Sequence, residues 1–113
     1  MPSNPLPNLL RMHRRRSGFS QDDISYLLGA QCGAKTCRYE RNHRVPPLET
    51  AFGLEIIYQT SLHELFPGQF REVEERILSR ANRLAHSRAR KEQTPLVVRQ
   101  LESLRKMGVV QES

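Results

Sequence analysis

The stretch from Phe19 to Arg44, FSQDDISYLLGAQCGAKTCRYERNHR, decides the fold. Ser20 is a typical helix N-cap residue, and Asp23 stands three positions later as its capping-box partner. Apolar residues then follow at the helical spacing i, i+3, i+4: Ile24, Leu27 and Leu28. Gly29 is expected to end this helix, because glycine adopts the left-handed conformation without a Cβ clash.

A second short helix is predicted after the glycine turn, over about residues 33–41. Its inward side consists of residues at i, i+4, i+7: Cys32, Thr36 and Tyr39. Its outward side consists of small and long polar residues: Ala34, Lys35, Arg38 and Asn42. Small residues let a helix approach the DNA major groove, and long cationic side chains reach guanine or phosphate. The alternative is that Lys35 and Arg38 only solvate a surface helix.

Length and charge set the broad class. With 113 residues, 37% of them hydrophobic, the chain is expected to form about one domain with a small core. Eighteen Lys and Arg against twelve Asp and Glu give a net charge of +6, which favours a polyanionic partner. Nucleic acid is preferred over membrane, because no apolar run approaches the roughly 18 residues of a spanning helix. Other basic proteins share this charge, so charge alone does not decide.

Catalytic and metal-binding signals are weak. Cys32 and Cys37 lack metal-site spacing and the four histidines are far apart, so we expect no metal, no cofactor and two reduced thiols. No Gly-rich phosphate loop occurs, and the adjacent Asp22 and Asp23 point to different helix faces, so the chain is not expected to be an enzyme. The N-terminus lacks a signal peptide pattern, which predicts a cytoplasmic protein.

The pattern along the chain predicts an all-α fold in three parts. Residues 1–7 are expected to be a flexible N-terminus, residues 8–67 a domain of five short helices, and residues 68–113 a C-terminal helical extension. The first helix of the extension carries an apolar stripe: Phe70, Val73, Ile77, Ala81 and Leu84. The second is expected to begin at Thr94-Pro95, to end at Gly108 and to carry Val97, Leu101 and Leu104. These stripes must be buried on the domain, in a homodimer or on another protein partner bound through residues 69–107.

Residues 9–66 resemble the lambda-repressor/Cro-like (Xre family) helix-turn-helix domain. The segments that carry the resemblance are LRMHRRRSGFSQDDISYLLG, then KTCRYER, then PPLETAFGLEIIYQTSLHELF. The resemblance implies a five-helix lambda-repressor-like DNA-binding domain, here followed by two C-terminal helices. It also implies a sequence-specific transcriptional regulator that binds double-stranded DNA. The apolar stripes of the C-terminal helices favour a homodimer, in which two recognition helices would lie about 34 Å, one DNA turn, apart on a pseudopalindromic site.

The resemblance also implies roles for individual residues. The base-reading positions fall on Gly33, Ala34, Lys35 and Arg38. The positions that contact phosphate fall on Gln21, Arg41, Asn42, His43 and Arg44. Arg14 and Glu40 match an internal ion pair that ties the first helix to the recognition helix.

The chain departs from the family pattern in two places near the turn. The segment AQCGAKTCRYE has one residue more than the common pattern between Gly29 and Tyr39, which lengthens the turn or starts the helix earlier. Thr36 stands where an aliphatic residue is more typical, which is expected to weaken the inner packing. Two other classes of function stay open: an antitoxin-like or accessory protein-interaction module, and non-specific nucleic-acid binding.

Overall fold

The computed structural model describes residues 8–109, and within this range the chain forms seven helices and no strand. The predicted all-α class is confirmed. The helices are α1 (Leu10–Ser17), α2 (Gln21–Leu27), α3 (Ala34–Glu40), α4 (Leu48–Tyr58), α5 (Leu62–Leu65), α6 (Pro67–Ala89) and α7 (Pro95–Met107). None of them is long and apolar enough to cross a membrane. The predicted flexible N-terminus, residues 1–7, lies outside the described residues.

The chain divides into two compact units, one up to Phe70 and one from Arg71 onward. The first unit contains α1 to α5 and the first turn of α6, and the second contains the remainder of α6 and α7. The boundary expected from the sequence, between residues 67 and 68, therefore lies inside the first turn of α6.

The core of the first unit contains residues from each of α1 to α5. The fully or nearly fully buried side chains are Leu10, Ile24, Tyr39, Leu54, Tyr58, Leu65 and Phe66, with Leu28, Ile57 and Leu62 packed against them. The sequence prediction for α2 was wrong at Leu27, which is 52% exposed. The helix is only two turns long, so its buried face is narrow, and Ser25 is buried beside Ile24.

The core of the second unit is small. It consists of Ala81, Ala85, Leu104 and Val109, with Leu101 packed against them, and Val97 is also buried. Thr94 caps α7, Pro95 occupies its first turn and Gly108 ends it in the left-handed conformation, as the sequence predicts. Ala81 and Ala85, at i and i+4 on α6, form the face that packs against Leu104 and Val109.

The predicted stripe of α6 is therefore buried only at Ala81. The four larger members of the stripe are each more than 40% exposed: Phe70, Val73, Ile77 and Leu84. Phe70, in the first unit, stacks on the ring of His63 with a centroid distance of 3.8 Å. Because the alanine row forms the packing face, the larger side chains of the second unit lie beside it and remain uncovered within the described residues.

Candidate nucleic-acid interface

The start of α2 is fixed by a complete capping box. The Asp23 backbone N–H donates to Ser20 Oγ at 3.0 Å, and the Ser20 N–H donates to Asp23 Oδ2 at 2.9 Å. At the other end, Gly29 adopts a φ of +83°, which permits the chain to turn away from the helix. Both ends of α2 thus follow from local chemistry, and Ile24, which is fully buried, fixes its orientation on the core.

The turn between α2 and α3 is held by a contact that the sequence did not reveal. Asp22 Oδ1 accepts a hydrogen bond from the Gly33 backbone N–H at 2.7 Å. A Cβ on Gly33 would lie 2.7 Å from that same oxygen and 3.2 Å from Gln21 Cβ, so a larger residue would displace the Asp22 carboxylate from its hydrogen bond and crowd α2. Gly33, expected among the base-reading positions, therefore lies at the N-cap of α3 and packs against α2.

The extra residue in the turn places Cys32 outside the helix. The prediction that Cys32 faces inward was wrong, because α3 begins only at Ala34 and Cys32 is exposed. The observed helix, Ala34–Glu40, is shorter at both ends than the predicted range, with Gly33 and Arg41 as its caps.

The inner side of α3 contains a buried polar pair. Thr36 and Tyr39 are buried, as expected. The hydroxyls of Thr36 and Ser25 lie 2.6 Å apart and form a hydrogen bond between α3 and α2. The threonine therefore does not leave a polar group unpaired at an apolar position, since α2 supplies a hydroxyl opposite it.

The outer side of α3 is free of internal contacts. Ala34, Lys35 and Arg38 are exposed, and neither cation forms a hydrogen bond or ion pair with any residue in the range 8–109. Ala34 and Arg38 lie one turn apart on this side, away from Thr36 and Tyr39, and Lys35 lies at its edge, so a ligand can reach all three without disturbing the packing of α3 on α2.

The end of α3 is a Schellman motif closed by asparagine instead of glycine. Asn42 has a φ of +60°, its N–H donates to Tyr39 O, and the His43 N–H donates to Arg38 O at 2.9 Å. Asn8 donates to both Tyr39 O and Asn42 Oδ1, which anchors this end of the helix.

The residues after α3 divide into two groups. The Asn42 side chain is engaged by Asn8, so it contributes to chain reversal and anchoring. The remaining members of the predicted phosphate-contacting loop are exposed: Arg41, His43 and Arg44. With Lys35 and Arg38 on the helix itself, they place four permanent positive charges within ten residues of sequence.

An ion pair connects three parts of the first unit. Arg14 Nε on α1 donates to Glu40 Oε2 on α3 at 2.6 Å, and Arg14 Nη2 donates to Glu40 Oε1 at 3.2 Å. The guanidinium also donates to Phe19 O at 3.1 Å, and the hydrogen bond to Glu40 raises the pKa of Arg14 above its usual value. The pair that the resemblance implied is thus in direct contact, with side chains 12% and 3% exposed.

Gln21 is the third member of this cluster. Its Nε2 donates to Glu40 Oε1 at 3.1 Å, so the amide faces the ion pair. The sequence placed Gln21 among the phosphate contacts. The Gln21 amide therefore contributes to holding α2 on α3 through Glu40.

The hydroxyl of Tyr58 is buried beside this cluster. Tyr58 Oη forms no hydrogen bond with any residue in the described range. Burial, reinforced by the nearby Glu40 carboxylate, raises the pKa of Tyr58 to about 12. The unfolded chain therefore ionises this group from about pH 10, whereas the folded chain keeps it protonated.

We expect Tyr58→Phe to stabilise the protein by about 1 kcal/mol at neutral pH, because it removes an unpaired buried hydroxyl. In the wild type, the free energy of unfolding should fall as the pH rises from about 10 to 12, and the variant should lack this part of the loss. Urea unfolding at several pH values measures both effects. Tyr26→Phe, at a side chain 79% exposed, is the control and should change neither. A loss of stability in Tyr58→Phe at pH 7 would contradict the absence of a partner.

The described residues 8–109 contain no group of three His, Cys, Asp or Glu side chains that could hold a metal ion, and both cysteines are free. The chemistry that the site offers is that of exposed cations on a short, rigidly held helix, which suits contact with base edges and phosphates. Comparison with family models, with curated proteins and with solved structures finds no match to this chain.

Proposed function

We propose that the chain is a sequence-specific double-stranded DNA-binding transcriptional regulator that inserts α3 into the major groove. The observation that carries the proposal is the division of α3 into two sides: Ala34, Lys35 and Arg38 are exposed and free of internal bonds, while Thr36 and Tyr39 are buried. A helix that reads DNA needs this arrangement, because its base-reading side chains must be free while its backbone is fixed.

We further propose that the five helices of the first unit are a lambda-repressor-like domain. The ion pair between Arg14 and Glu40 and the tight packing of Gly33 on α2 support this, because both hold α3 at a fixed orientation to α1 and α2. In this arrangement Arg38 reads bases, with Lys35 second, while Arg41, His43 and Arg44 contact the sugar-phosphate backbone.

We also propose that the protein binds DNA as a homodimer, which would determine the spacing and the symmetry of the DNA site. The exposed apolar side chains of the second unit support it: Val73, Ile77, Leu84, Leu96 and Met107. In a two-fold dimer the two copies of α3 would reach half-sites about 34 Å apart, one turn of DNA. The operator would then be a pseudopalindrome.

Selection of bound duplexes from a random DNA pool tests the function. We expect one recovered site with inverted symmetry, bound about 10³-fold or more tighter than a scrambled duplex at physiological salt. Fluorescence anisotropy on the recovered and scrambled duplexes measures the ratio. Binding that depends steeply on salt but favours no sequence would instead indicate a non-specific nucleic-acid-binding protein.

The second candidate function is an antitoxin-like or accessory module that binds a partner protein. The same uncovered residues of α6 and α7 favour it, since a core as small as that of the second unit gains from a covering partner. This candidate predicts that the pool yields no preferred site. It also predicts that residues 71–109 resist a protease only when a second protein is co-expressed and bound.

A further inference from the structure

The first unit contains a small cavity beside α3 that is partly open to solvent and is lined by residues of α2, the turn, α3, the loop after it and the start of α4. Its volume is about 150 Å³. The lining residues with polar side chains are Ser25, Lys35, Thr36, Tyr39, Arg44 and Thr50, the others are small or apolar, and no acidic residue lines the cavity. We call it the Lys35–Arg44 cavity.

The charge of this cavity is uncompensated. Lys35 and Arg44 bring two positive charges to it, and neither side chain forms an ion pair or hydrogen bond with a residue in the described range. Elsewhere in the unit, by contrast, the guanidinium of Arg14 has the carboxylate of Glu40 as its partner. Both cations are exposed, and an anion held between them would be the first charged partner of either side chain among the described residues.

The hydroxyl pair at the wall of the cavity also lacks an acceptor. Ser25 and Thr36 are 1% and 3% exposed, and each hydroxyl carries one hydrogen. The single bond between them, 2.6 Å long, uses one of the two hydrogens. Neither hydroxyl forms a second hydrogen bond with a described residue, so one hydroxyl hydrogen is left to donate to a group inside the cavity.

The volume of the cavity limits the size of the group that could bind in it. A single water needs about 10–15 Å³, and sites for larger organic ligands usually begin near 300 Å³. The cavity lies between these values. A small group that accepts hydrogen bonds and carries negative charge satisfies both cations and the free hydroxyl hydrogen.

We propose that the Lys35–Arg44 cavity binds a tetrahedral oxyanion of the phosphate type. Lys35 and Arg44 neutralise the charge, and the Ser25–Thr36 pair donates one hydrogen bond from the cavity wall. The site stands on the cavity itself and does not require the proposed DNA binding. The same chemistry has two sources: a free phosphate ion, or one phosphate of a DNA backbone.

Thermal unfolding in inorganic phosphate, with chloride replacing it at constant ionic strength, tests the site. At a phosphate concentration about ten times its Kd, we expect the wild-type midpoint to rise by about 5 °C. Lys35→Ala and Arg44→Ala should each lose most of this rise. Arg41→Ala removes the same charge from an exposed residue that does not line the cavity, and should keep the rise.

The two substituted cations are exposed, so both variants should fold, and their midpoints in chloride verify this. If Arg44→Ala and Arg41→Ala respond to phosphate alike, the effect is a general response to charge and the site does not exist. A wild type whose midpoint does not move in phosphate would equally overturn the proposal.

A second measurement identifies the source of the anion. If a DNA phosphate occupies the cavity, phosphate at ten times its Kd should weaken wild-type DNA binding about tenfold at constant ionic strength, and Arg44→Ala should be insensitive. If DNA affinity is unchanged while the midpoint still rises, the ligand is the free ion. A chain that binds no DNA but shows the cavity-dependent rise would refute the proposed function and leave the anion site standing.

Discussion

Glu40→Ala should destabilise the protein by about 3–5 kcal/mol, the largest effect that we expect from any single polar substitution in the first unit. The substitution removes the acceptor of two hydrogen bonds from Arg14 and of one from Gln21. It leaves the guanidinium, whose side chain is only 12% exposed, without a compensating charge. Urea unfolding followed by circular dichroism measures the change.

Glu102→Ala provides the matched control for this prediction. Glu102 pairs with Arg105 one turn later on α7, but these side chains are 46% and 64% exposed. Water and salt screen such a pair, so its loss should cost about 0.5 kcal/mol or less. Equal losses in the two variants would show that the Arg14–Glu40 pair is no better shielded than an ordinary surface pair.

The double variant Arg14→Met with Glu40→Met separates two contributions to the free energy of unfolding. One is the destabilisation caused by a single unpaired charge, and the other is the stability that the ion pair itself provides. Replacing both partners with apolar side chains removes the buried charge altogether, so most of the stability lost in Glu40→Ala should return. If the double variant is as unstable as Glu40→Ala, the pair itself, with its hydrogen bond to Phe19 O, contributes the stability.

Arg38→Ala should reduce affinity for the selected DNA site by roughly 5- to 150-fold, which corresponds to about 1–3 kcal/mol for a lost bidentate contact with guanine. Its binding to scrambled DNA should change far less, so sequence preference should relax at one or two base pairs. The folded domain should be unaffected, because Arg38 is exposed and its side chain forms no bond with the described residues. Anisotropy titrations against single base-pair variants of the site measure this.

Arg44→Ala is the contrasting variant. Arg44 lies in the loop after α3, and the proposed function assigns it to a phosphate contact, which does not read sequence. Its loss should weaken binding to all duplexes alike and lower the slope of log K against log salt by about one unit.

Arg38→Ala with unchanged affinity and unchanged preference would show that α3 does not read bases through this residue.

The parts of the fold that could be predicted are those fixed by local chemistry. The capping box of α2, the turn at Gly29 and the Thr94-Pro95 start of α7 each depend on residues within four positions of one another. Arg38 could be placed on the outer side of α3 because Tyr39, next to it, is large and apolar enough to be buried in either register.

The parts that could not be predicted depend on partners distant in sequence. Asp22 and Gly33 are eleven residues apart, and the lengthened turn that they close could not be positioned from spacing alone. Thr36 looked like a defect in the inner packing until α2 supplied Ser25 opposite it. The stripe on α6 has helical spacing, but the face that packs is the adjacent one, formed by Ala81 and Ala85. Its selection depends on Leu104 and Val109, which are about 20 residues or more away in sequence.

The two-sided character of α3 has an evolutionary consequence. In seven residues, the positions that hold the fold (Thr36, Tyr39 and Glu40) are separate from the exposed ones (Ala34, Lys35 and Arg38). Variation at the exposed positions therefore carries little risk of unfolding, since they make no internal bonds. A combinatorial library randomised at those three codons should consist mostly of folded members, so that new target preferences could arise by drift without first passing through unstable intermediates.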